Sequence, residues 1–116
     1  MITDKPDRVT ASLTLRTARP TAQHVLLTAS GEITADSVPA LTEMVETRLR
    51  GTLTRLTLDV SAVTSIDTVG LSALVRAQLV ARCRGIELRF LTRDNASVHQ
   101  RLTHAGLPYV ASEPTL

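Results

Sequence analysis

At 116 residues, with 43% hydrophobic side chains, the chain suits one compact domain with its own core and is too short for two. The net charge is +2, and aromatics reach only 2% (Phe90 and Tyr109), so neither the basic stripe nor the stacking platform of a nucleic-acid binder is present. Cys83 is the only cysteine, which excludes an internal disulfide and fits a reducing compartment.

In chain order, residues 1–10 are polar, carry Pro6 and are expected to be flexible. Leu13 and Leu15 alternate with Thr14 and Arg16 over residues 11–17, the pattern of a half-buried strand. Arg19-Pro20-Thr21 reads as a turn and residues 24–30 as a second strand, close enough to pair antiparallel with the first. Gly31-Glu32-Ile33-Thr34 leads into a helix capped by Thr34 or Asp36, with Pro39 tolerated in its first turn. Val38, Leu41, Val45 and Leu49 give that helix one apolar face, and Gly51 ends it.

Leu56, Leu58 and Val60 form a third strand. Leu71, Leu74, Val75 and Leu79 set the inward face of a second helix, and Arg76, Gln78 and Arg82 lie off that face. Arg82 and Arg84 suit its negative end, and Gly85 stops it. Residues 86–91 alternate as a fourth strand. Asp94 or Asn95 caps a third helix with Val98, Leu102 and Ala105 inward, and Gly106-Leu107 has the form of a Schellman ending. Tyr109-Val110 reads as a short edge strand, and 111–116 as a tail.

The order β-β-α-β-α-β-α calls for right-handed crossovers and parallel pairing of strands two to four, with the first strand antiparallel. The expected fold is a single α/β domain, with a mixed, mostly parallel sheet of four or five strands and three or four helices. No stretch approaches the ~20 apolar residues of a membrane span, and residues 1–8 have no signal-like apolar run. The expected location is the cytoplasm.

The residues that carry chemistry do not assemble into a catalytic pattern. His99 and His104 are five apart on one helix, a poor spacing for a shared metal, and His24 sits early in a strand. Cys83 has no base near it in sequence and reads as a small hydrophobe close to a helix end. The five glycines are isolated, so there is no phosphate-cradling loop. Asp59 and Asp67 are read as flanking one loop, weak evidence for a carboxylate pair. The expectation is a binding protein rather than an enzyme, with no cofactor and no metal.

The informative stretch is Ser65–Leu74, where a strand hands over to a helix. Asp67 there has the place of an N-cap, worth about 1 kcal/mol, and Gly70 that of a close packing contact. Val69 is apolar in a first turn, so it is either tucked inward or presented to a partner.

Five stretches belong together: Gly31-Glu32-Ile33, Leu56-Thr57-Leu58-Asp59-Val60-Ser61, Ile66-Asp67-Thr68-Val69-Gly70-Leu71, Arg84-Gly85 and Leu102-Thr103-His104-Ala105-Gly106-Leu107. In these residues the chain resembles the STAS domain of bacterial anti-sigma factor antagonists. The likeness spans residues 11–110. It implies a partner-switching regulator of transcription that captures an anti-sigma factor of the histidine-kinase-like serine/threonine kinase type and so frees a sigma factor. In that family the kinase phosphorylates a hydroxyl between the aspartate and the glycine, which ends the interaction. The usual acceptor is the second of two hydroxyl residues. Here that position is Val69, and Thr68 keeps a hydroxyl at the first, as in some stressosome STAS proteins. Thr34 replaces the family's aspartate after Gly-Glu-Leu, and Ser72 a glycine often found after Gly-Leu. The resemblance thus implies an antagonist whose phosphorylation control is altered or lost. Its partner surface would comprise Gly31, Glu32, Thr34, Asp67, Thr68, Val69, Gly70, Leu71 and Arg76, with Thr68 the candidate phospho-acceptor. Two alternatives stand beside it: a STAS subunit of a lipid-transport ATPase complex, where Asp-Thr-x-Gly-Leu also occurs, and a stressosome-type scaffold or nucleotide-binding module.

Overall fold

The structure is a computed structural model describing residues 8–10 and 12–112. The elements are β1 (Arg8–Val9), β2 (Leu13–Thr21), β3 (His24–Ile33), α1 (Val38–Leu49), β4 (Arg55–Ile66), α2 (Thr68–Cys83), β5 (Glu87–Leu91) and α3 (Ala96–His104). One five-stranded sheet holds the strands in chain order, β1-β2-β3-β4-β5. β1–β2 and β2–β3 are antiparallel; β3–β4 and β4–β5 are parallel. The expected α/β domain with a mixed sheet and three helices is what forms. Most of the N-terminal stretch expected to be flexible, and the end of the tail, lie outside the described residues; within them Arg8 and Val9 add an edge strand to β2.

Both parallel crossovers step in the same direction across the sheet. Right-handed connections therefore place α1 and α2 side by side on one face. Register puts Leu15, Leu27, Ala29, Leu56, Leu58, Leu88 and Phe90 on that face, where all are buried. Val98 and Leu102 of α3 join the same core. The opposite face is polar, carrying Thr14, Arg16, Thr28, Thr57, Asp59 and Arg89.

Several local expectations are corrected. Arg19-Pro20-Thr21 is not the turn: β2 runs through it, and the reversal falls at residues 22–23. Proline lacks an N–H, and the ladder accommodates it with a register shift between Ala18 and Thr21. The third strand runs six residues past Val60, to Ile66. Asp59 is therefore inside β4 and does not flank a loop with Asp67. It is 7% exposed, accepts from the Ser61 N–H (3.0 Å) and hydroxyl (2.7 Å), and lies 3.6 Å from Arg93.

α1 starts after Ser37, not after Thr34 or Asp36. On α2 the buried stripe is Gly70, Leu74 and Ala81; Leu71 and Val75 are half-buried, and Leu79 is 55% exposed. Cys83, the last residue of α2, is exposed rather than packed. At the other ends the sequence signals hold. Gly85 takes φ +69°. Asn95 Oδ1 caps α3 at the Val98 N–H, and its Nδ2 donates to the Val63 carbonyl at 2.8 Å. The α3 exit makes both Schellman bonds, Gly106 N–H to Thr103 O and Leu107 N–H to Leu102 O. In place of a Tyr109-Val110 strand, Val110 alone forms a parallel bridge to Leu91.

Candidate functional site

The site lies at the end of the sheet where β3 and β4 deliver the chain into α1 and α2. Asp67 organises it. Its backbone is extended, as an N-cap requires, and Oδ1 accepts from the Gly70 N–H at 2.7 Å. Oδ2 accepts from the Ala35 N–H at 3.0 Å, and the Asp67 N–H donates to the Ile33 carbonyl at 3.1 Å. One carboxylate therefore starts α2 and fixes the approach to α1.

Two glycines make this approach possible. A Cβ on Gly70 would sit 2.2 Å from the Ile33 carbonyl oxygen, so α2 docks on β3 only through a bare backbone. Gly31 has φ +116°, and its Cβ would sit 2.1 Å from the Ser12 carbonyl oxygen. The Glu32 N–H donates to that same oxygen at 2.8 Å, which sets where the corner turns. The Ser37 hydroxyl donates inward to the Glu32 carbonyl at 2.8 Å and accepts from the Thr34 N–H at 3.0 Å. This bonding makes Ser37 a buried staple of the corner.

The expected partner-binding residues separate into three groups. Asp67 and Gly70, with the Gly31–Thr34 backbone, form the framework; Glu32 is exposed, and Thr34 half-buried. Val69 lies 49% exposed in the first turn of α2. It lines a groove between α1 and α2 with Val38, Thr42, Ser72 and Arg76, about 440 Å³ in volume. Arg76 is reached there from two turns along α2, and its Nε lies 3.7 Å from Glu46 of α1. Thr68 and Leu71 face elsewhere. They line a second groove of about 290 Å³ with Ser72, Val75 and Ala105 of α3.

Sequence reasoning missed Glu46 and Arg101. Arg101 is exposed on α3, and its Nη2 donates to the Ile66 carbonyl at 2.5 Å, just before Asp67. Neither residue has a sequence signal, because each joins the site through helix packing over 20 or more positions. The histidines stay apart: His24 Nε2 bonds the Thr57 hydroxyl at 2.9 Å, His99 stacks on Tyr109 with ring centroids 4.6 Å apart, and His104 is exposed. Among the described residues no group of three or more His, Cys, Asp or Glu side chains converges as a metal site.

A family model described as "Mlab, STAS domain" matches residues 16–108. The chain belongs to the STAS domain family. A search of curated proteins found no match. Among solved structures, this STAS domain is similar to an anti-sigma factor antagonist from Mycobacterium paratuberculosis (TM-score 0.73, 19% identity, 87% of each chain covered). It is also similar to the anti-sigma factor antagonist SpoIIAA in its unphosphorylated form (TM-score 0.68, 15% identity, 80% of this chain and 81% of that one). SLC26A9 carries the same fold within a much longer chain (TM-score 0.63, 16% identity, 72% of this chain and 16% of that one). At such identities the likeness is one of fold. No helix among the described residues is long and apolar enough to cross a membrane.

Proposed function

We propose that this STAS domain is a cytoplasmic anti-sigma factor antagonist, a binding protein rather than an enzyme. Its partner is an anti-sigma factor of the histidine-kinase-like serine/threonine kinase type, and its capture releases a sigma factor. The observation that carries the reading is Val69. A half-exposed valine stands at the mouth of the α1–α2 groove, on a turn that Asp67 and Gly70 hold rigidly. A fixed apolar knob beside a charged rim is the anatomy of a docking contact. The fold shared with two anti-sigma factor antagonists supports the same reading. The partner surface is the Gly31–Thr34 corner, the Asp67–Leu71 turn and Arg76. Because Val69 has no hydroxyl, modification at that position is lost, and Thr68 is the hydroxyl that remains between Asp67 and Gly70.

The test is affinity capture of the tagged protein from its own bacterium, with mass spectrometry of the bound chains, followed by binding measurements on the purified partner. A small histidine-kinase-like ATPase whose binding weakens on Val69→Glu supports the proposal. A second reading, as the STAS subunit of a lipid-transport ATPase complex, is favoured by Thr68-Val69 in the motif. Recovery of a transport ATPase with its permease decides for that reading.

A further inference from the structure

Neighbouring residues of α2 open onto different sides of the molecule. Val69 lines the α1–α2 groove with Val38, Thr42 and Arg76. Thr68 lines the α2–α3 groove with Leu71, Val75 and Ala105. Arg101 lies one helical turn before Ala105 on α3, so the two occupy one face of that helix. Its guanidinium is held on the carbonyl of Ile66, whose Cα lies within about 7 Å of that of Thr68 two residues on. The remaining N–H groups of Arg101 have no further partner among the described residues. The carboxylate nearest in sequence, Asp67, is turned to the other side, where the Gly70 and Ala35 N–H groups occupy its two oxygens.

We propose that Arg101 is the cation that receives a phosphoryl group on Thr68. Such a modification is read within the chain, beside the Ile66 carbonyl that Arg101 already holds at the edge of the α2–α3 groove, and leaves the Val69 groove open. This rests on the reading of Thr68 as an acceptor. In the transfer, Thr68 Oγ1 attacks the γ-phosphorus of a nucleoside triphosphate held by a partner kinase. The bond from that phosphorus to the bridging oxygen breaks, the hydroxyl proton passes to a base of the kinase, and a nucleoside diphosphate departs. A phosphate adds about −1.5 to −2 charges, and a guanidinium offers it a two-pronged set of donors. A residue-69 hydroxyl would instead place that charge beside Glu46 and Arg76 in the docking groove. The first and second positions of the motif thus address different faces: modification at 69 blocks docking directly, while modification at 68 joins α3 to the start of α2.

The experiment uses the full chain with phosphothreonine installed at position 68 during synthesis, so it reads the contact whether or not a natural kinase acts. The phosphorus NMR titration should show the second phosphate pKa lowered by about one pH unit relative to an unstructured phosphothreonine peptide. In Arg101→Ala that shift should vanish, and in Arg101→Lys part of it should return. Circular dichroism of the unphosphorylated Arg101→Ala protein checks that the fold survives. If it does not, Arg101→Gln, which keeps a donor for the Ile66 carbonyl, replaces it. An unshifted phosphate in the parent, or a shift that persists without Arg101, overturns the proposal. Failure of kinase capture alone would instead count against the anti-sigma reading and leave the Arg101 contact standing.

Discussion

α1 and α2 begin beside each other at one end of the sheet and are started in opposite ways. α2 has a side-chain cap: Asp67 Oδ1 takes the Gly70 N–H. α1 has none. Its N-cap, Ser37, turns its hydroxyl back to the Glu32 carbonyl, and the helix grows out of a backbone turn in which the Ser37 and Val38 N–H groups both donate to Thr34 O. What links them is the second oxygen of Asp67 on the Ala35 N–H. The start of α2 is self-sufficient, whereas the approach to α1 borrows its order from α2. A perturbation at Asp67 should therefore appear in both helices, and one at Ser37 in α1 alone.

The strongest way to break this arrangement is Gly70→Ala. A methyl 2.2 Å from the Ile33 carbonyl oxygen forces α2 off β3, at a cost of about 3 kcal/mol or more. Urea unfolding should show a large fall in midpoint; an unchanged midpoint would mean the close approach is not obligatory. Next comes Asp67→Ala, expected to lose about 1–2 kcal/mol through its cap. Hydrogen exchange sharpens the comparison: the Gly70 and Ala35 amides should both speed up. Ser37→Ala should speed up the Thr34 amide and leave Gly70 protected. Val69→Glu should leave the urea midpoint within about 0.5 kcal/mol, as for an exposed position. It should weaken partner binding tenfold or more, about 1.4 kcal/mol; unaltered affinity would move the interface away from the α1–α2 groove.

The smallest effect belongs to the far end of the sheet. There Arg89 and Arg55 bracket Glu87 at 2.8 Å and 3.1 Å, and the hydrogen bond from Arg89 holds the Glu87 carboxyl below its usual range. A carboxyl whose folded pKa is depressed stabilises the fold above its unfolded pKa of about 4.5, and that contribution is lost as pH falls through the folded value. Glu87→Gln should thus be slightly less stable than the parent at pH 7 and equal to it once the parent's Glu87 is protonated, with the gap closing below pH 4.5. A gap that persists in acid would assign the difference to packing rather than charge.

Helix and strand type was legible because local signals suffice for it. Gly85, Asn95 and the Gly106-Leu107 exit each work through bonds spanning at most five residues. The length of β4 was not legible. Beyond Val60 its residues Ser61, Thr64 and Ser65 are polar, and they stay in the sheet because Gly31–Ile33 pairs with Val63–Ile66. Leu79 misled because Leu71, Val75 and Leu79 form a valid helical stripe in sequence. α2 is rolled so that Gly70, Leu74 and Ala81 face the sheet, and the clearance of Gly70 dictates that roll. At the site, Asp67 as a cap and Gly70 as a close contact followed from sequence. The division of Thr68 and Val69 between two grooves did not, since it depends on where α1 and α3 lie.

The sheet order β1-β2-β3-β4-β5 repeats the chain order. Among the described residues no strand is inserted between two already placed, so each arriving strand needs only the free edge left by the one before it. A chain emerging from the ribosome can lay down this sheet as it is made, without waiting for distant sequence. That schedule leaves an open edge at each step, the last of them on β4. Until residues 87–91 arrive, the freshly placed β4 presents the backbone of residues 55–59 along an open edge, where another nascent chain could pair.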